Sequence, residues 1–132
     1  MEFSWKNVRG KSYVADTFDQ HSMGWCGCCY IIAIVQTIED RGHILTSNTR
    51  HTIDLQTIMD HFNEIHRDGV WNACHGGATS HVVECIVSGA CPLVTSKPRT
   101  TWLGRPSRTH RTPLGDAPYH VSGYRHLTYS EE

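Results

Sequence analysis

Apolar residues along the chain fall into three stretches that predict helices, separated by long polar segments. The first helix is predicted from Cys29 to Arg41, with Gly42 in the left-handed position that often follows a helix. It includes the longest apolar run of the sequence, from Tyr30 to Val35. A bilayer-spanning helix needs roughly 20 apolar residues in succession, so neither a transmembrane segment nor a membrane partner is expected.

The second helix is predicted from Leu55 to about Arg67, with Asp54 as its N-cap and Gly69 after its end. Its core face is expected to comprise Leu55, Ile58, Met59, Phe62 and Ile65. The third helix is predicted from about Thr79 to Val87, before Gly89. Its inward residues are expected to be Val82, Val83 and Ile86.

The composition changes after Pro92. Residues 97–115 contain no acid and are interrupted by prolines and glycines, which favours an extended loop. Its basic residues are Lys97, Arg99, Arg105, Arg108, His110 and Arg111. A solvated connection explains them, and a polyanion-binding strip is the alternative, with Trp102 as its one aromatic ring for base stacking. No nucleic-acid motif accompanies the strip, so no nucleic-acid partner is expected.

The chain has 132 residues and a formal charge of −1, which fits one domain with a modest core and no general attraction to polyanions. Residues 1–4 have neither the basic nor the apolar region of a signal peptide, and no pro-segment precedes Trp5. The compartment therefore stays unassigned, and the six cysteines do not by themselves decide whether disulfides form.

Residues 20–30 carry the clearest chemistry. Gln20 supplies an amide, Cys29 supplies a thiol, and the first predicted helix begins at that thiol. The uncompensated N–H groups and the dipole of a helix N-terminus favour the thiolate form of a nearby cysteine. A thiolate beside an amide donor is typical of one half of a cysteine-protease active site.

This arrangement resembles the papain family, whose signature runs Gln, a short loop, then Cys-Gly-Ser-Cys-Trp at the start of a buried helix. Residues 26–30 read Cys-Gly-Cys-Cys-Tyr, so they depart from the signature at its Ser and its Trp. The resemblance implies that Cys29 is the nucleophile, Gln20 the oxyanion-hole side chain and Cys26 a disulfide partner.

The resemblance continues at Cys74, where Cys-His-Gly-Gly is similar to the family's Cys-Asn-Gly-Gly turn. It implies a disulfide from Cys74 to Cys26, and substrate-binding roles for Gly76 and Gly77 of the turn and for Gly27. The same turn glycines also have a purely structural explanation, as positions that backbone geometry requires. Both explanations can hold, and a Gly-Gly turn is expected to leave backbone groups open to an extended peptide.

Two alternatives concern the remaining cysteines. The family's second bridge would start where His61 stands, so no second bridge is predicted, and Cys85 or Cys91 is expected to be unpaired. The cysteines of residues 26–29 are also compatible with a cluster of buried thiols. A zinc site is the other rival; its ligands would be Cys26, Cys28, Cys74 and His75. Zinc-ribbon spacing is missing, so neither a metal nor a cofactor is expected.

Within the family, the cathepsin X subfamily is the most similar. The likeness lies in Trp5-Lys6-Asn7-Val8-Arg9-Gly10 with Tyr13, and in the extended loop between Gln20 and Cys26. That subfamily removes single residues from substrate C-termini and uses a histidine of this loop to hold the terminal carboxylate. His21 occupies the matching position, although the loop's usual Ile-Pro is Ser-Met here.

Residues 119–125 and 130–132 resemble the segment where the family's chain crosses into its second lobe. The fold class implied is mainly α: the left lobe of the papain-like fold, three helices with long irregular loops. Residues 1–92 would form the helical core, and residues 93–132 a basic loop and crossing segment toward a missing second lobe. The family's catalytic His and Asn come from that lobe. The candidate substitute bases are His21, His81 and His120.

These implications define two hypotheses. The first is a truncated, cathepsin-like cysteine peptidase homologue that is weak or inactive in proteolysis. The second is a protease-like decoy or binding protein for peptides, inhibitors or a partner peptidase. A homodimer or partner subunit is expected on the exposed inter-lobe face, because apolar surface prepared for a second lobe disfavours contact with water. Relatives of this type are lysosomal or secreted.

Overall fold

The computed structural model describes residues 2–46, 50–66, 68, 71–96, 102–107, 115–117, 120–125 and 127. Within these residues three helices carry the fold: α1 spans Cys29–Thr46, α2 spans Leu55–His66 and α3 spans Thr79–Val87. A two-residue strand β1, Val94–Thr95, pairs antiparallel with β2, Gly115–Asp116. The mainly helical class that the sequence predicts is therefore confirmed.

Helix α1 is longer than predicted, because it continues beyond Arg41 to Thr46. Gly42 lies inside the helix rather than after its end, so the prediction that it terminates the helix is wrong. A glycine inside a helix costs about 1 kcal/mol relative to alanine. Burial offsets that penalty: Gly42 and His43 are both buried, and the His43 ring lies 5.1 Å from the ring of Tyr13.

Helix α2 begins as predicted. Asp54 accepts the backbone N–H of Thr57 at 3.1 Å through its carboxylate, which is the expected N-cap bond. Its predicted core residues are buried except Ile65, which is 53 % exposed. The prediction for Ile65 is wrong because the last buried apolar side chain of α2 is Phe62, and His66 covers it with a ring 4.2 Å away. The predicted end at residues 67 and 69 lies outside the described residues.

Helix α3 has the predicted bounds, with Val82 and Ile86 buried and Val83 half-buried. Gly89 follows the helix at a φ of 84°, and Cys91 then donates its backbone N–H to the carbonyl of Cys85 at 3.1 Å. This reversal brings the two cysteines together as a disulfide, with Cα atoms 5.3 Å apart. The prediction that Cys85 or Cys91 is unpaired is therefore wrong.

The core forms where α1 packs against both other helices, and its largest fully buried apolar side chains are Phe62, Ile31, Ile53, Ile58, Met59, Val35 and Val82. Part of the predicted solvated loop also belongs to it. Trp102 is only 5 % exposed, and residues 102–107 pack against α2, so a solvated connection is wrong for this part of the loop. Among the described residues, no helix is long and apolar enough to cross a membrane.

Candidate active site

Cys29 is the first residue of α1, and its thiol is free and exposed. Cys28, the residue before the helix, accepts its first hydrogen bonds. The Cys28 carbonyl accepts the backbone N–H groups of Ile31 at 3.0 Å and Ile32 at 3.1 Å. The Cys28 thiol is free but fully buried, and burial raises its pKa to about 11. Of the two free thiols, only that of Cys29 is thus both accessible and located at the helix N-terminus.

A short ladder fixes the nucleophile segment against the turn that carries Gly76. Gly27 donates its backbone N–H to the carbonyl of Cys74 at 2.8 Å, and its own carbonyl accepts the N–H of Gly76 at 3.1 Å. The predicted disulfide between Cys26 and Cys74 is confirmed and closes the same contact, with Cα atoms 4.5 Å apart. A Cβ on Gly27 would lie 2.7 Å from the carbonyl oxygen of Cys74, so this close approach requires glycine.

The turn itself is held by two aromatic side chains. Tyr30 donates its hydroxyl to the carbonyl of Ala73 at 2.7 Å, and the indole N–H of Trp71 donates to the carbonyl of Gly76 at 3.2 Å. The N–H and the carbonyl of Gly76 therefore each have a partner within the chain. Among the described residues, Gly77 has no such bond. Burial raises the pKa of Tyr30 well above its usual range and keeps its hydroxyl a donor.

His21 lies at the base of the extended loop between Gln20 and Cys26, which is called the insertion loop below. Its ring Nδ1 accepts the backbone N–H of Cys26 at 3.1 Å, and the backbone N–H of His21 donates to the carboxylate of Asp19 at 2.9 Å. Because Nδ1 is the acceptor in this bond, the neutral ring carries its proton on Nε2. The side chain is exposed, so this Nε2–H is a donor that an incoming anion can meet.

Trp25 is a site residue that sequence reasoning missed. Its side chain is 68 % exposed and lies between two imidazoles, with its ring 6.1 Å from that of His21 and 6.4 Å from that of His75. The available signal was a large aromatic residue directly before the nucleophile motif, in a loop without other aromatics. Such a residue has no core to enter, so exposure beside the site was the simplest expectation.

The insertion loop rests on a distant segment of the chain. Gly104, at a φ of 73°, lies so near Met23 that a Cβ would stand 2.8 Å from the Cβ of that residue. Gln56 of α2 holds the segment in place, since its side-chain oxygen accepts the N–H of Leu103 at 2.8 Å and its amide donates to the carbonyl of Arg105 at 2.8 Å.

Within the described part of the chain, the remaining predicted residues are not hydrogen-bonded to Cys29. The side-chain oxygen of Gln20 is buried and accepts no hydrogen bond from the described residues. No described histidine is hydrogen-bonded to Cys29: His81 stacks on His66 at 6.1 Å, and His120 lies in a groove beside α1. The zinc alternative is contradicted, because the sulfur atoms of Cys26 and Cys74 are consumed by their disulfide.

A free thiol at the start of a helix, next to a segment that a disulfide joins to a glycine turn, is the layout of one side of a cysteine-protease cleft. The sequence model described as papain family cysteine protease matches residues 1–132. The chain therefore belongs to the papain family of cysteine proteases. The three helices and the small sheet of the described residues are consistent with the left lobe of that fold.

Proposed function

We propose that this chain is a cysteine peptidase homologue related to the cathepsin X subfamily, with Cys29 as nucleophile and Gln20 as oxyanion donor. The observation that carries the proposal is the exposed, free Cys29 thiol at the first residue of α1, beside the Gly27 ladder and its disulfide. A helix N-terminus is one of the environments in which nucleophilic cysteines occur. Cys28 is excluded as nucleophile by its burial.

Substrate recognition follows from the backbone groups that remain available. Gly77 would pair with an extended peptide, while Gly27 and Gly76 shape the adjacent surface with their own hydrogen bonds already made. His21 would donate its Nε2–H to the terminal carboxylate of the peptide, in the direction opposite to its bond with Cys26. The substrate class is therefore peptides with a free C-terminus.

Turnover also requires a base that takes the proton of the thiol and an acid that protonates the leaving amine. The part of the chain that the structure describes brings no histidine into hydrogen-bond contact with Cys29, which supports a second lobe or partner subunit as its source. The chain alone is then weak or inactive, because nucleophile and base act as a unit and losing one costs several orders of magnitude. The same observation favours the second candidate, a decoy that captures peptides, inhibitors or a partner peptidase without turnover.

Thiol labelling tests the nucleophile. Native protein treated with iodoacetamide at pH 7 should gain one adduct in the mass spectrum. The Cys29→Ala variant should gain none, and the matched Cys28→Ser variant should gain one. Labelling of Cys29 faster than glutathione supports an activated thiolate, whereas equal or slower labelling argues against it.

A peptide aldehyde tests the oxyanion donor without needing a base. The Cys29 sulfur adds to the aldehyde carbon while its proton goes to the carbonyl oxygen, and Gln20→Ala should weaken the adduct at least tenfold. Peptides with free and amidated C-termini then test His21, whose replacement by alanine should abolish any preference for the free acid. Binding without hydrolysis identifies the decoy, and robust hydrolysis lost in Cys29→Ala identifies a complete enzyme.

A further inference from the structure

A groove beside α1 lies apart from the cleft. It encloses about 610 Å³, within the range of about 300 to 1,000 Å³ usual for ligand sites. Its α1 residues recur at helical spacing and are Ile34, Thr37, Ile38, Arg41, Gly42 and Leu45. At a rise of about 1.5 Å per residue, this lining begins about 7.5 Å along the helix from Cys29 and extends for about 16.5 Å. An occupant of the groove therefore has no need to enter the cleft.

The groove is apolar at its base and positive at its rim. Val83 of α3 and Val121 add to the isoleucines of α1, whereas Arg41 and Arg125 supply positive charge, and no Asp or Glu is among the described residues that line it. Within the described residues, neither of these arginines forms a salt bridge; both ion pairs found there belong to another arginine. The surface is thus complementary to an apolar ligand that carries negative charge.

One wall of the groove has free backbone groups. Residues 120–125 are neither helix nor strand, and among the described residues they make no backbone hydrogen bond. The segment contacts the helical core in two places: Val121 packs against it, and the hydroxyl of Tyr124 donates to the carboxylate of Glu84 on α3 at 2.7 Å. A positioned segment with unpaired N–H and C=O groups is a template to which another chain can add.

We propose that this groove binds a short peptide segment with alternating apolar and acidic side chains. The backbone of the segment pairs with residues 121–125, its apolar side chains enter between Ile38 and Val83, and its carboxylates meet Arg41 and Arg125. The unpaired backbone wall distinguishes a peptide from a small amphipathic anion, which has no amides to satisfy those groups. The site is independent of the chemistry at Cys29.

Fluorescence anisotropy with a labelled hexapeptide of alternating Val and Glu tests the proposal. The paired double variant Arg41→Glu with Arg125→Glu should bind this peptide at least tenfold more weakly, whereas Lys6→Glu, an exposed charge reversal elsewhere, should bind as the parent does. Circular dichroism confirms that each variant is folded. The corresponding Val and Lys peptide should bind at least tenfold more weakly to the parent chain, and N-methylation of the Val and Glu peptide should weaken binding similarly.

Three results would overturn the proposal. The first is equal affinity for the acidic and basic peptides, or no binding of the acidic peptide at millimolar concentration. The second is loss of binding when Cys29 is alkylated, which would place the peptide in the cleft. The third is a dimer in sedimentation that the arginine reversals abolish and saturating peptide does not, which would make a second copy of the chain the occupant.

Discussion

The ring of Tyr30 fills the space that a side chain on Gly77 would need. A Cβ on Gly77 would stand 2.7 Å from Cε2 and 2.9 Å from Cζ of the ring, while the hydroxyl of that ring is bonded to Ala73. The first residue after the nucleophile therefore determines both the path of the glycine turn and its missing side chain. Since the ring is buried and tethered at its far end, it cannot swing aside.

Replacing Gly77 by alanine tests this contact. We expect Gly77→Ala to lower the free energy of unfolding by about 1 to 3 kcal/mol, the usual range for overpacking. Gly115→Ala is the control, because nothing lies within 4 Å of a Cβ at that position. Urea unfolding followed by far-UV circular dichroism measures both. Equal midpoints for the two variants would show that the turn can yield.

The two disulfides should contribute unequally. Cys26 and Cys74 are separated by 48 residues and Cys85 and Cys91 by 6. On the loop-entropy argument their removal lowers stability by about 4 and about 2 kcal/mol respectively. Paired serine variants, compared by urea unfolding without reductant, measure the difference. A larger loss from the short loop would mean that native contacts, not loop entropy, dominate.

Acid should weaken the packing of His43 of α1 against Tyr13 of the N-terminal segment. Burial, and then the nearby Arg50 guanidinium, lower the pKa of His43, whose Nδ1 lies 3.4 Å from Nη1 of that arginine. Unfolded histidine titrates near 6.5. Below that pH the unfolded chain binds more protons than the folded chain, so the stability that His43 provides is present at neutral pH and declines as the pH falls from about 7.

Unfolding midpoints between pH 7.5 and 5 measure this dependence. His43→Gln should flatten it, while His120→Gln, an exposed imidazole, should keep the slope of the parent chain. An unchanged slope in His43→Gln would assign the acid sensitivity to other groups.

Gln56 should be essential for the position of residues 103–105, the segment on which the insertion loop rests. Gln56→Leu leaves Leu103 and Arg105 without their side-chain partners and is expected to cost about 1 to 3 kcal/mol. Gln36→Leu is the matched control, because that amide makes one exposed bond of 3.3 Å to Asp16. Faster hydrogen exchange at residues 20–25 in the first variant alone would show that the insertion loop depends on this support, and unchanged exchange would contradict it.

The sequence predicted what local rules decide. Asp54 was recognisable as a cap, and the α3 bounds followed from apolar spacing and Gly89, because capping and turn geometry depend on near neighbours. The end of α1 was not predictable in this way. Gly42 carries the local signal for termination, but the packing of His43 against Tyr13 extends the helix, and that contact joins segments far apart in the chain.

Tertiary proximity explains the other differences. The Cys85–Cys91 bridge departs from the family pairing and depends on the chain reversal at Gly89. The burial of Trp102 depends on the core cluster and on Phe18, whose ring lies 6.2 Å away, and no local pattern in residues 97–115 reveals these contacts. Within the site, the Cys26–Cys74 bridge came from motif resemblance, whereas the occupied carbonyl of Gly76 required the position of Trp71.

The nucleophile segment is joined to the glycine turn twice, by the disulfide between Cys26 and Cys74 and by the two backbone hydrogen bonds of Gly27. Reducing agents break only the first of these. A reducing compartment would therefore shorten the lifetime of the folded chain. In the molecules that stay folded, the hydrogen bonds of Gly27 would keep the Cys29 segment beside the glycine turn. The reactivity of Cys29 in a folded molecule and the amount of folded protein are then separately controlled, so reduction would lower the folded fraction without changing the rate constant for labelling of Cys29 in the molecules that stay folded.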